Sequence, residues 1–235
     1  MVDDMDNAGS EATVEDLEPL PNLFMRIVMV FVAPGQLFER LRDNPVWLWA
    51  MVLLVAVGLV ASALVPAQLI EDLMMAQMPE GASEADVERA VAIGGVLRFA
   101  GVLFTPIAIA IIAGVLMLVF NVFMGGEARF KQLFSVATYT WFIPMLGGIA
   151  VLPLIISKGD LTAGLNLGLL APGLEGGFLS RFLTSVNIFS LWGAVVLGIG
   201  MSKLYPERSA KSASIIILVI YALYVAISAA LSRGA

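Results

Sequence analysis

The side chains best placed to do chemistry lie in one stretch, Gly125 to Pro144, GGEARFKQLFSVATYTWFIP. Hydroxyls recur there at Ser135, Thr138, Tyr139 and Thr140. Lys131, Ser135 and Thr138 follow helical spacing and share one helix face. With the amides Asn121 and Asn187 from neighbouring apolar runs, the candidate polar cluster is Asn121, Ser135, Thr138, Tyr139 and Asn187. Such a cluster can line a small polar cavity or hold a lipid headgroup. It can equally be a set of interhelical hydrogen bonds, each worth about 0.6–2 kcal/mol.

Other chemistry is excluded by residue type. The chain has no Cys and no His. Thiolate nucleophiles, zinc sites built on Cys or His, haem ligation through His and imidazole acid–base catalysis are therefore absent. No serine has a nearby base to activate it. The Gly-rich GLNLGLLAPGLEGG lacks a following Lys-Ser/Thr and a preceding strand, so it is no phosphate loop. No catalytic residue, metal or cofactor is expected.

The setting for these residues is apolar. Of 235 residues, 60% are hydrophobic and 14% charged, and mean hydropathy is +0.94. A soluble domain is about 45–50% apolar and about 25% charged. The excess must face lipid, which predicts an all-α, polytopic membrane helical bundle. The net charge of -6 excludes a nucleic-acid footprint.

In chain order, residues 1–21 form an acidic tail with Asp3, Asp4, Asp6, Glu11, Glu15, Asp16 and Glu18, expected to be disordered. The acidic start also argues against a cleavable signal peptide. Residues 22–45 are expected to be cytoplasmic or interfacial helices. NLFMRIVMVFV is too short to span, and Pro34 can open a second, amphipathic helix suited to the membrane surface. Residues 46–235 should hold five transmembrane helices, at about 46–65, 96–124, 133–156, 186–204 and 214–231. Trp47 and Trp49 sit where rings prefer the headgroup level. Ser83 can cap the helix leading to the second span, and Pro106 should kink that span. Residues 157–185 form an oddly apolar loop, expected to lie against the membrane or re-enter the bundle. Small residues at four-residue spacing should mark close helix packing: Gly58 with Ser62, Ala110 with Gly114, Ala194 with Gly198 and Ser202, and Ala222 with Ala226 and Ala230.

Orientation follows from Lys and Arg near the spans. One side collects Arg26, Arg40, Arg42, Arg129, Lys131, Lys203, Arg208 and Lys211. The other collects Arg89, Arg98, Lys158, Arg181 and Arg233, beside an acidic loop. The expectation is a cytoplasmic N-terminus and an external C-terminus. Arg129, Lys131, Lys203, Arg208 and Lys211 would then converge on the cytoplasmic face. They are either topology anchors or a site for anionic lipid or an acidic partner, each charge adding about 1 kcal/mol.

Three segments carry a family resemblance: FVAPGQLFERLRDNP, GGEARFKQLFSVATYTWFIP, and LNLGLLAP with the later FLTSVNIFSLWGAVVLGIGMSKL. In this order and span spacing the chain resembles the Yip-domain family, the Ypt/Rab-interacting five-span membrane proteins, in its bacterial form, over roughly Phe24 to Ala230. The resemblance implies a compact helical bundle with a cytoplasmic N-terminus in the bacterial inner membrane. Eukaryotic relatives contact Rab-type GTPases. This chain lacks their DLYGP-type signature and has only about forty residues before its first span, so a GTPase partner is not expected.

No ionisable residue falls in the middle of any expected span, which argues against a proton-coupled carrier. The leading reading is a non-enzymatic scaffold, organiser or adaptor whose partners are the bilayer and other membrane proteins or itself. The alternative is a transporter or channel component for a neutral or apolar solute. A lipid-acting enzyme would require Lys131, Tyr139 and Asn121 together in a deep pocket.

Overall fold

The computed structural model describes residues 20–231 except 77, 79–80, 160–163, 172 and 175. The acidic tail, but for its last two residues, and part of the apolar loop lie outside them. The described residues form eleven α-helices, a π-helical turn and a 3-10 turn. This is the all-helical architecture expected for a membrane bundle.

α1 (Leu23–Val32) starts at Asn22, whose side chain accepts the Met25 N–H at 2.9 Å. Ala33 breaks the helix, and α2 (Pro34–Asp43) restarts with Pro34 at its first position. Leu37, Phe38 and Leu41 on α2 are completely buried, packed against α7 and α10. The apolar face expected to lie on the membrane surface therefore belongs to the bundle core. The one-dimensional pattern is the same in both cases, because an amphipathic helix must bury one side but does not specify against what.

α3 (Leu48–Leu64) is followed across Pro66 by α4 (Ala67–Ala76), bent 77° away. α5 (Glu84–Leu103) is capped by Ser83, which accepts the Asp86 N–H at 3.3 Å. It ends at Phe104, and α6 (Thr105–Met117) begins there with Pro106 in its first turn, so the expected kink is a helix break. A π-helical turn, Leu118–Phe123, closes that segment. α7 (Phe130–Thr140) and α8 (Phe142–Lys158) follow, then a 3-10 turn at Leu167–Leu170, α9 (Gly177–Ser185), α10 (Ile188–Leu204) and α11 (Ala210–Leu231).

Among the described residues, three helical segments are long and apolar enough to cross a membrane: Thr105–Phe123, Phe130–Lys158 and Ala210–Leu231. The bent pair α3–α4 makes a fourth if it is one broken span. Length and composition thus support three or four crossings where the sequence reading expects five. The difference rests on α3, whose 17 residues count only if the bent pair is one span, and on α10, which also has only 17 residues.

α10 is the central helix, packed on α2, α7, α8 and α11. Its glycines permit this. A Cβ at Gly200 would meet Phe38 at 3.2 Å, and one at Gly198 would collide with the Ser214 backbone on α11. The outer surface is apolar instead of polar. Ile111 on α6 and Val219, Leu223, Tyr224, Ile227 and Leu231 on α11 are all more than half exposed, which water would penalise and lipid does not.

The small-residue stripes are partly placed as expected. A Cβ at Gly58 would sit 2.9 Å from Val102 of α5, with Ser62 half-buried one turn on. Ala194 and Gly198 are buried, and Ser202 is half-buried. Two stripes differ. Ala110 is half-buried, but Gly114 is exposed with nothing within 4 Å of a Cβ there. On α11, Ala222 and Ala230 are exposed and Ala226 half-buried, while Ala213, Ile217, Val225 and Ala229 face the core. The packing face lies one residue away from the alanine stripe.

Candidate functional site

α7 is the most enclosed element, with every residue from Leu133 to Thr140 buried. Its start is set by a one-way cap in which the Arg129 backbone N–H donates to Gln132 Oε1 at 2.7 Å. Its hydroxyls are used internally. Thr138 and Thr140 donate to the carbonyls one turn back, Phe134 and Val136, at 2.7 and 2.9 Å. Ser135 donates to the Val46 carbonyl at 3.2 Å and so ties α7 to the segment before α3.

The expected cluster is therefore not one site. Asn121 donates to the Ala128 carbonyl at 2.8 Å and accepts from the Tyr205 hydroxyl at 2.5 Å. Tyr205 in turn stacks on Phe120, ring centroids 5.1 Å apart. Burial, reinforced by the negative charge of Glu207, pushes the Tyr205 phenol up to about 12. Asn187 caps α10 by accepting the Phe189 N–H at 2.8 Å, beside the two backbone bonds joining Leu165 and Leu167 to Ile188 and Val186. Lys131 and Tyr139 do share a cavity, but Asn121 does not line it, so the three groups a lipid-acting enzyme would need are not assembled.

That cavity, about 490 Å³, lies between α1, the start of α3 and α7. Its lining includes Arg26, Lys131, Tyr139, Trp47 and Trp49 and, among the described residues, no carboxylate. Arg26 donates from Nη1 to the Tyr139 hydroxyl at 2.8 Å, and its guanidinium lies 5.8 Å from that ring's centroid. Its Nε is buried without a hydrogen-bond partner. Leaving such a donor unpaired costs about 1–3 kcal/mol. Among the described residues Arg26 has no ion-pair partner. In the sequence Arg26 reads only as a topology charge. The signal that could have found it is a lone cation inside NLFMRIVMVFV, a setting where a charge is retained only with a counterpart.

The five basic residues have different surroundings. Lys131 lines the cavity. Lys203 is paired with Glu39 of α2 at 3.1 Å, fastening that helix to α10. Arg129 and Lys211 are exposed, and Arg208 is half-buried in the turn after α10. A second cavity, about 370 Å³, is lined by Arg42, Gln132 and Tyr205 together with Glu127 and Glu207. It brings the end of α2, the 125–132 turn and the 204–207 turn to one end of the bundle. Gln132 closes that group by donating to the Arg42 carbonyl at 2.7 Å.

A lipid-facing helical bundle with its buried hydroxyls bonded internally and a cavity lined by two cations is an integral membrane protein. The comparisons narrow that class. The Yip1 domain matches residues 28–230, and the chain belongs to the Yip1-domain family. It is 26% identical over 178 residues, 74% of this chain and 76% of the relative, to a protein of Bacillus subtilis (strain 168) described as membrane protein YknW. No solved structure matches the chain.

Proposed function

We propose that this protein is a non-enzymatic scaffold or organiser of the bacterial cytoplasmic membrane, acting through contacts with other membrane proteins, copies of itself, or lipids. The observation that carries this reading is how the polar groups are used. Ser135, Thr138 and Thr140 all bond to backbone carbonyls of the bundle, while the outward faces of α6 and α11 are apolar. Such a molecule has much surface to offer within the bilayer and little internal polarity for moving or transforming a solute.

Five crossings, with the N-terminus inside and the C-terminus outside, are part of this proposal. The grouping of Arg42, the 125–132 turn and the 204–207 turn at one end supports it, because Arg42, Arg129 and Lys131 belong to these segments and Lys203 and Arg208 flank the last, and all five are basic residues assigned to the cytoplasm. α10 counts as a crossing here because it is sheathed by other helices and need not match the lipid thickness itself. A reporter fused at Ala235 should read as external. A cytoplasmic reading would overturn the topology.

The functional test has two arms. Deleting the protein should change the size or abundance of a membrane complex on native gels, restored by the wild-type gene. Purified protein in liposomes should conduct small neutral solutes no faster than empty liposomes. Unchanged complexes together with solute flux would overturn the organiser reading in favour of a channel.

A further inference from the structure

We propose that the cavity formed by Arg26, Lys131 and Tyr139 is a binding site for the phosphate of an anionic phospholipid. The inference deepens the lipid-contact part of the proposed function and rests on it only to that extent.

The chemistry begins at Arg26. A guanidinium presents a planar fork of donors that matches two phosphate oxygens. Here one arm is held by Tyr139 at 2.8 Å, which orients the plane, and Nε is buried with no partner. Among the described residues no carboxylate lines the cavity, so none of them answers this charge with an anion. Tyr139 Oη accepts from Arg26 and keeps its own proton free to donate. Lys131, exposed at the first turn of α7, adds three rotatable donors to the same lining. Together these form a donor set with no acceptor of matching charge among the described residues.

The surroundings select a lipid over a free phosphate. Trp47 and Trp49 border the cavity, and Trp49 is 69% exposed, as rings at the headgroup level are. Leu48 also lines the cavity. From it, exposed apolar positions continue down α3 at one-turn intervals: Val52, Ala56, Val60 and Leu64. A headgroup phosphate between Arg26 and Lys131 thus sits at the top of a continuous apolar track for an acyl chain. A phosphate without a chain would leave that track unused.

The test uses full-length protein in nanodiscs of dioleoylphosphatidylcholine, with and without added dioleoylphosphatidylglycerol, and reads retained lipid by native mass spectrometry. The wild type should retain phosphatidylglycerol in preference to phosphatidylcholine. Lys131→Gln should lower that preference about fivefold, and Arg26→Gln by at least as much. Lys211→Gln, an exposed cation outside the cavity, should leave it unchanged. If Arg26→Gln does not fold, Arg26→Lys replaces it, keeping charge but losing the fork, and should still lose preference. Equal retention of both lipids, or full preference in Lys131→Gln, would overturn the proposal. So would glycerol phosphate quenching the tryptophan fluorescence as effectively as the lipid, since the ligand would then be a soluble phosphate. Because binding is read on purified protein, unchanged membrane complexes in the deletion strain would count against the organiser reading alone.

Discussion

Replacing Phe38 with alanine should destabilise the whole bundle, and the size of the effect decides what α2 is for. Phe38 is fully buried, and its ring reaches to 3.2 Å of where a Cβ on Gly200 would stand. Removing a buried phenyl ring costs about 3–5 kcal/mol when the site cannot collapse. Collapse is restricted here, since Leu37 and Leu41 on the same face are also fully buried. For a protein of this size the loss corresponds to a fall in midpoint on the order of 10 °C. Phe24→Ala is the matched control, because Phe24 on α1 is 74% exposed and its loss should stay within about 0.5 kcal/mol. The assay is thermal unfolding in a mild detergent, followed by intrinsic tryptophan fluorescence. If Phe38→Ala unfolds with the wild type but loses affinity for vesicles, α2 is a membrane-surface helix and its placement in the core is wrong.

Further outcomes follow from single contacts. Gly198→Ala should cost about 1–3 kcal/mol in the same unfolding assay, because the new methyl collides with the Ser214 backbone. Gly114→Ala should be neutral or stabilising by up to about 1 kcal/mol, since a Cβ there meets nothing within 4 Å. Asn121→Ala should cost about 1–3 kcal/mol by leaving the Tyr205 hydroxyl and the Ala128 carbonyl without their partner. The Tyr205 phenol, raised to about 12 from the ordinary 10.0, binds its proton more tightly in the folded protein than in the unfolded chain. Its contribution of about 2–3 kcal/mol is therefore present below pH 10 and lost as pH climbs from about 10 to about 12. Ultraviolet titration of wild type minus Tyr205→Phe should show one phenol ionising near the top of that range, and ionisation near 10 would refute the burial argument.

The helices themselves were legible because each long apolar run is bounded by Pro, Gly or charge, and the cap at Ser83 follows a local rule. Which face of each helix points inward was much less legible. In water, polar residues mark the outside, but in lipid both sides of a helix are apolar and the contrast disappears. The alanines of α11 illustrate this. Ala222, Ala226 and Ala230 share a face as regularly as Ala213, Ile217, Val225 and Ala229 do, and only packing against α10 decides between them. The same blindness hid the partner of Asn121, since Tyr205 lies 84 residues away in sequence and neither position announces the other.

Length is a similarly incomplete guide. A helix of 17 residues is about 25 Å long, shorter than the hydrocarbon core of about 30 Å. That shortfall matters for a helix solvated by lipid, where mismatch must be met by tilt or by deforming the bilayer. α10 has α2, α7, α8 and α11 around it instead, and seven of its residues are buried, including Gly193, Gly198 and Gly200. Its ends meet the cap at Asn187 and the stacked Tyr205 in place of open headgroups. Lengthening α10 by one turn should therefore harm the protein more than lengthening α11 by the same amount. An insertion of four alanines after Leu204 pulls Tyr205 away from Asn121 and Phe120, whereas one after Leu231 only extends a helix along lipid. Comparable unfolding midpoints for the two insertions would show that α10 is matched to the bilayer and not to the bundle.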